Sequence, residues 1–300
     1  MSMSFLYHSP QERKAAELTY TLEYINERGQ SIVFSPKTNI ILSSTEGLTS
    51  TVIQPMITQG VNRVGGALQG QTVQPRNIMC RGTIMGNANA AKKMMLDIIL
   101  PEVKAKLIYN DTWTIDVIPT TTPEISRHTI TASFDFALRA PYPYWKKKAG
   151  VASGMAYMQP MFKFPWNLTK PWVFGIRVAP EFTNVYNAGN IPADFTAVFY
   201  ARSATSNPSL VKATTLEMIK INKEMEAGDR ITVNNGANSI TAIMSHGSTT
   251  TDIFNAIDFD STFFLLDPGD NILRFDAEGS RDALDVTIFH SVVSAGAYTI

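Results

Sequence analysis

Apolar and polar residues alternate with a period of two along much of the chain. Tyr20, Leu22 and Tyr24 alternate with Thr19, Thr21 and Glu23, the pattern of a strand with one buried face. Arg28 and Gly29 then turn the chain into a second strand over Ser31–Phe34. Further strands are expected around Ile78 and Ile84, and over residues 113–118 and 130–138, the last two separated by turn-rich residues 119–128. The helical period occurs where Ala91, Met94, Met95, Ile98 and Ile99 share one face and Lys92, Lys93 and Asp97 lie largely opposite. Asn87 or Asn89 is its expected cap and Pro101 its stop, and the Met and Ile stripe reads as core. Ahead of all this, Ser9-Pro10-Gln11-Glu12 forms a capping box that opens a short helix through Glu17. A helix this short needs a surface to pack on, so it reads as an arm docked on this or a neighbouring subunit.

The second half is punctuated by turn residues. Asn187-Ala188-Gly189-Asn190, Asn207-Pro208, Gly228-Asp229 and Asn234-Asn235-Gly236 divide it into about ten short strands, as an antiparallel sandwich requires. Near the end an apolar strand, Phe263-Phe264-Leu265-Leu266, is expected to reverse at Pro268-Gly269-Asp270-Asn271. In the ambiguous stretch 216–227, Ile219 and Ile221 alternate with Met218, Lys220 and Asn222, and the Gly228-Asp229 turn that follows favours strand. Residues 59–71, with Gly60, Gly65, Gly66 and Gly70, read as a mobile loop. They lack the Gly-Lys-Ser/Thr ending of a phosphate-cradling loop. Between the halves, Pro141, Tyr142, Pro143, Tyr144, Trp145 and Lys146 to Lys148 have the composition of a domain junction. With 300 residues and roughly 100 to 200 per domain, the expectation is an arm over 1–18, a first domain over 19–150 and a second over 151–300.

Charge narrows the function classes. Lys plus Arg and Asp plus Glu each number 26, so the net charge is zero and no global field draws the chain to nucleic acid or anionic lipid. The lone Cys80 cannot make an intramolecular disulfide, and Met1 to Pro10 lack a signal peptide's apolar core, which together point to synthesis in the cytosol. No apolar run approaches the roughly 18 residues of a membrane span, so no membrane partner is expected. The sequons at Asn110 and Asn167 then read as chance matches. His8, His128, His246 and His290 are far apart and form no metal-binding motif. Cys80, between Met79 and Arg81 in an expected strand, reads as a structural thiol. Asp258 and Asp260 would share one face of a strand, where a solvated face is favoured over a cation site or an acid/base pair. Tyr142, Tyr144, Trp145, Trp166 and Trp172 could offer planes to sugar rings, but domain packing is the favoured reading. Lys146 to Lys148 read as solvated rather than as phosphate contacts. No catalytic, cofactor-binding or metal-ligating residue is assigned, and the chain is not expected to be an enzyme.

The order of several short motifs nevertheless resembles one family. Phe34-Ser35-Pro36, Glu46-Gly47-Leu48, the Gly-rich loop, Pro75-Arg76-Asn77-Ile78 and Gly82-Thr83-Ile84 precede the helix; Ala140-Pro141-Tyr142-Pro143-Tyr144-Trp145 closes the first half. With the turn series of the second half, this resembles the siphophage-type distal tail protein (Dit) family over roughly Thr19 to Phe275. The resemblance implies a mainly β chain: a tail-tube-like β-sandwich or split barrel with one flanking helix, then a galectin-like β-sandwich. It implies a homo-hexameric ring at the virion's tail tip, made in the host bacterial cytoplasm. That ring would join the tail tube protein to tail-tip, baseplate or receptor-binding proteins, while DNA passes its channel without specific binding. It brings no catalytic residues and no cofactor. The capped N-terminal arm departs from the family pattern, and no large carbohydrate-binding insertion is present. The expected interface residues are Gly60, Arg63, Gly65, Gly66, Trp145, Trp166 and Trp172. A carbohydrate-binding module is the alternative, and a wall hydrolase using Asp258 and Asp260 a third.

Overall fold

The computed structural model describes residues 20–62, 64–86, 88–127, 131–160, 175–236, 239–279 and 281–298. The expected N-terminal helix, Arg63, Asn87, His128, Asn167, Trp166 and Trp172 lie outside the described residues. The chain is mainly β and divides into two compact units: residues 1–148 with 294–300, and residues 149–293. The second unit is therefore inserted between two segments of the first.

Unit 1 begins with β1 (Leu22–Asn26), β2 (Ser31–Phe34) and β3 (Ile40–Glu46), followed by β4 (Ile53–Thr58), β5 (Ala67–Val73) and β6 (Arg76–Met85). Helix α1 (Ala88–Ile98) leads to β7 (Ala105–Tyr109), β8 (Trp113–Pro119), β9 (Glu124–Arg127), β10 (Thr131–Ala140) and the start of β11 (Trp145–Gly154). Hydrogen bonding runs β2-β1-β7-β8, and β8 joins a second group at Leu138↔Pro119, where β10 carries β6 and β9 and β6 carries β3. Period-two alternation is what buries one face of each strand: in β6, Ile78, Cys80 and Ile84 point inward, and Phe34 meets Phe134 and Phe136 at centroid distances of 5.9 and 5.6 Å. Helix α1 buries Met95 and Ile98, with Ile99 just beyond its end, whereas Met94 is 40% exposed, so its buried stripe is narrower than the spacing predicts. Asn89 lies inside the helix and is not its cap.

Two further readings are corrected in this unit. The expected loop 59–71 is shorter, because Ala67–Val73 is strand β5, paired antiparallel with β4. The turn-rich stretch before His128 holds β9. Strand β11 begins at Trp145 within the expected junction, and the chain passes from unit 1 to unit 2 between Lys148 and Ala149. Exposed polar strands are hard to read from periodicity, because neither face announces burial.

Unit 2 contains β12 (Tyr157–Pro160) and β13 (Gly175–Val178), which pair only with each other, then β14 (Thr183–Asn187), β15 (Phe195–Ala201), β16 (Thr205–Lys212), β17 (Met218–Lys220) and β18 (Glu224–Met225). The series continues with β19 (Arg230–Asn235), β20 (Ile240–His246), β21 (Thr249–Asp252), β22 (Gly269–Glu278) and β23 (Leu284–Ser294). One sheet runs β23-β15-β19-β20-β21 and another β14-β22-β16-β17, each with one buried face, the arrangement of a β-sandwich. Asn207-Pro208 is a bulge inside β16 and not a turn: the register slips between Ser206 and Ser209, with Asn207 at φ 52°. Residues 263–266 are extended but join no ladder beyond a single bridge, Ala193↔Leu266. Their apolarity reports burial of Phe264 and Leu266, which needs no strand partner.

Candidate functional site

The most exposed apolar feature of unit 1 is the β4–β5 arm. Its strands pair from Ile53↔Val73 to Thr58↔Ala67 and belong to no larger sheet. Every β4 residue is exposed, among them Ile53, Met56 and Ile57; Leu68 is exposed on β5, and the tip residues Val61 and Val64 are 92% and 107% exposed. At the tip Asn62 and Gly65 take φ 60° and +84°, and a Cβ on Gly66 would lie 2.4 Å from Ile57 Cγ2. Glycine there lets the loop fold back onto β4. Gly60 is exposed at the same tip. Over 53–73 the sequence carries one charge, Arg63. An isolated two-stranded ribbon is marginal in water, and unpaired edges with exposed apolar side chains call for a partner.

The arm is anchored at its root. Strand β6 begins just after it with Arg76, which is 2% exposed and has no carboxylate partner among the described residues. Its Nε donates to the Pro143 carbonyl at 2.6 Å, and Nη1 donates to the carbonyls of Gly47 (2.7 Å), Leu48 (3.0 Å) and Ser50 (3.0 Å). Nη2 donates to Thr51 Oγ1 at 2.9 Å and to the Ala295 carbonyl. Burial lowers the Arg76 pKa from its ordinary value, offset in part by nearby Tyr144, and guanidinium remains the cation. A planar fork surrounded by carbonyl oxygens satisfies the donors that burial would otherwise orphan. Gly47 sits at φ +82° with the Asn77 carbonyl 2.0 Å from where a Cβ would be, so the root segment lies directly on β6.

Of the junction aromatics, Trp145 is fully buried; its indole N–H donates to the Leu48 carbonyl at 2.9 Å and its ring meets Tyr109 edge-on. It is part of the packing of unit 1. Tyr142 and Tyr144 pack against each other at 5.4 Å, with Lys146 over the Tyr142 ring, and Lys148 pairs with Asp111. The other chemical groups are scattered. Cys80 is buried, which pushes its thiol up to about 12 and leaves it unreactive. Asp258 and Asp260 are not on a strand: Asp258 accepts the Asp260 N–H at 2.9 Å in a turn, and that bond, with Asn222, lowers its pKa. Among the described residues no group of three or more His, Cys, Asp or Glu could hold a metal ion. Sequence reasoning missed the Arg76 cage, because a charged residue is expected at the surface; its one signal is its place directly behind the Gly-rich arm.

Residues 188–291 match the family model for the siphovirus-type tail component, C-terminal domain. No curated protein matches the sequence. Among solved structures, the crystal structure of SPP1 Dit (gp 19.1), described as a paradigm of the hub adsorption apparatus in phages infecting Gram-positive bacteria, aligns over 91% of this chain and 98% of its own, at 10% identity and a TM-score of 0.67. Structures of the phage p2 baseplate in its activated conformation, with Ca and with Sr, align over 91% of this chain and 97% of theirs, at 11% and 10% identity and TM-scores of 0.48 and 0.47. The family match lies within unit 2, and the likeness to SPP1 Dit shows the fold of the chain.

Proposed function

We propose that this chain forms the ring-shaped hub at the distal end of the tail, joining the tube to the tip and adsorption proteins, and that it acts by assembly with no turnover of its own. The β4–β5 arm carries this reading. A ribbon with six exposed residues on β4, an apolar tip and no strand partner but itself among the described residues is suited to being covered by another molecule. A closed ring joins two different surfaces of each subunit, and closure is what keeps such head-to-tail contacts from growing into fibres. Six copies is the expected number, with unit 1 forming the ring and unit 2, a sandwich of galectin-like kind, facing the adsorption proteins. Zero net charge suits a channel past which DNA slides, since each neutralised phosphate would add affinity and drag.

Electron microscopy and native mass spectrometry of the purified protein test the proposal. Six-fold rings with a central hole are expected for the wild type. The triple variant Met56→Glu, Ile57→Glu, Leu68→Glu should remain folded, with Tm unchanged within about 2 °C, since these side chains are already exposed, yet fail to form rings. Unimpaired rings in that variant would remove the arm from the interface. A wild-type protein that is monomeric at high concentration and missing from tail tips would remove the hub itself.

A further inference from the structure

We infer that residues 294–298 are a strap that fixes the direction of the β4–β5 arm through Arg76, so that the arm is presented for assembly only while the strap is docked. The assembly half of this inference rests on the hub reading above; the strap itself does not.

The observations are all within unit 1. The arm pairs with nothing but itself among the described residues, so its aim is set where the chain enters it, at residues 47–52, and leaves it, at residues 74–76. Across that root, the Gln74 N–H donates to the Val52 carbonyl at 2.9 Å. Residues 47–51 are not themselves part of a strand. They are held instead from two sides by Arg76 and by the tail. Ala295 takes the hydroxyl of Thr51 at 2.9 Å and an Arg76 N–H on one carbonyl, so a single guanidinium bridges root and strap. The Ala297 N–H donates to the Leu48 carbonyl at 3.2 Å, the carbonyl that also receives Trp145 and Arg76. Gly296 lies flat on Thr49, where a Cβ would come within 2.6 Å of its carbonyl. Beyond, the Tyr298 carbonyl accepts the Trp113 indole N–H at 3.0 Å, and the two rings pack tilted at 51° with centroids 5.0 Å apart. The strap continues directly from β23, whose preceding residues belong to unit 2. Removing the strap leaves the guanidinium one acceptor short and frees one side of 47–51, while the alternating cores of β6 and β10 keep all their partners.

Pulsed electron spin distance measurement on the full chain decides this. Cys80 is buried, so labels are placed at Gln69→Cys on the arm and Asp116→Cys on β8, both exposed positions. In the labelled wild-type background the distance distribution should be narrow. In a chain ending at Val293 it should broaden about twofold, while near-ultraviolet circular dichroism and the cooperative melt of unit 1 persist. Arg76→Gln should broaden it similarly and Arg76→Lys less, since lysine keeps the charge but not the fork. Ring formation should fall in step with the broadening. An unchanged distribution in the truncated chain, or loss of the near-ultraviolet signal together with arm order, would overturn the strap, the second by making the tail ordinary core. Broadening in a protein whose wild type forms no rings would uphold the strap and remove the hub reading.

Discussion

Two histidines of unit 2 titrate in opposite senses. His246 Nδ1 hydrogen-bonds Asp229, whose carboxylate is 2% exposed and also accepts the Glu226 N–H at 2.7 Å. Hydrogen bonding and attraction from Asp229 raise the His246 pKa; at Asp229 burial pulls upward, but the Glu226 N–H and His246 outweigh it and the pKa falls. His290 is different: it is 4% exposed, neither ring nitrogen has a well-aligned hydrogen-bond partner among the described residues, and burial lowers its pKa, with a weak interaction with the Tyr186 backbone opposing only in part. For His246 the folded pKa lies above the unfolded value of about 6.5, so its stabilisation is complete in acid and is lost as pH rises through the folded value. For His290 the folded pKa lies below about 6.5, so as pH falls past that point the unfolded chain takes up a proton the folded chain refuses, and stability drops. Melting curves between about pH 5 and about pH 8 should therefore show His290→Leu with a flatter acid decline than wild type and His246→Gln with a steeper one. Identical pH profiles for all three would mean that neither ring is coupled to folding.

At the scale of elements, the reversal at Asp267–Asn271 shows how a side chain builds a turn. Asn271 is 1% exposed; its Nδ2 donates to the carbonyls of Asp267 (2.8 Å), Gly269 (3.2 Å) and Val185 (3.3 Å), and its Oδ1 accepts the Asp267 N–H at 2.9 Å. Gly269 supplies the φ of +92°. Asn271→Ala leaves several buried backbone groups without partners and should cost roughly 3 kcal/mol in urea unfolding of unit 2, whereas a loss under about 1 kcal/mol would mean water replaces the amide. The Pro-Gly signal of this turn was legible, because φ preferences are local. That Asn271 closes it was not, since its partners Val185 and Asp267 come together only in the folded sheet. The same division runs through the molecule. Alternation over 19–25, and strand-type segments around Ile78 and Ile84 and over 130–138, announced strands whose inner faces are buried, observed at 22–26, 76–85 and 131–140. The family's turn order announced the fold. Strands β4 and β5 escaped notice because nothing on either face is buried, and the Arg76 cage because residues 47–51, 143 and 295 are distant in sequence. Asn207-Pro208 misled because proline removes a donor without ending a strand that has room for a bulge.

For the whole molecule, the chemistry of the arm fixes what should drive assembly. Net charge is zero, so copies brought into a ring meet no overall repulsion that salt would relieve. The arm carries apolar side chains and one charge, Arg63, so a subunit contact made through it would be dominated by removal of Ile53, Met56, Ile57, Val61, Val64 and Leu68 from water. Some charges elsewhere are already paired within the chain, Arg81 with Glu46, Lys148 with Asp111 and Lys220 with Glu278. Ring formation followed by sedimentation should then be nearly independent of sodium chloride between about 0.05 and about 1 M, where the Debye length shrinks severalfold. It should weaken on cooling, as apolar association does. Steering by charge would look different, with assembly falling steeply as salt rises. That outcome would move the subunit contact away from the arm and onto faces where charges of opposite sign meet. A variant carrying Gln59→Glu and Gln69→Glu separates the two cases. It adds two exposed negative charges to the arm without removing apolar area, so it should assemble less well than wild type at low salt and recover as salt rises.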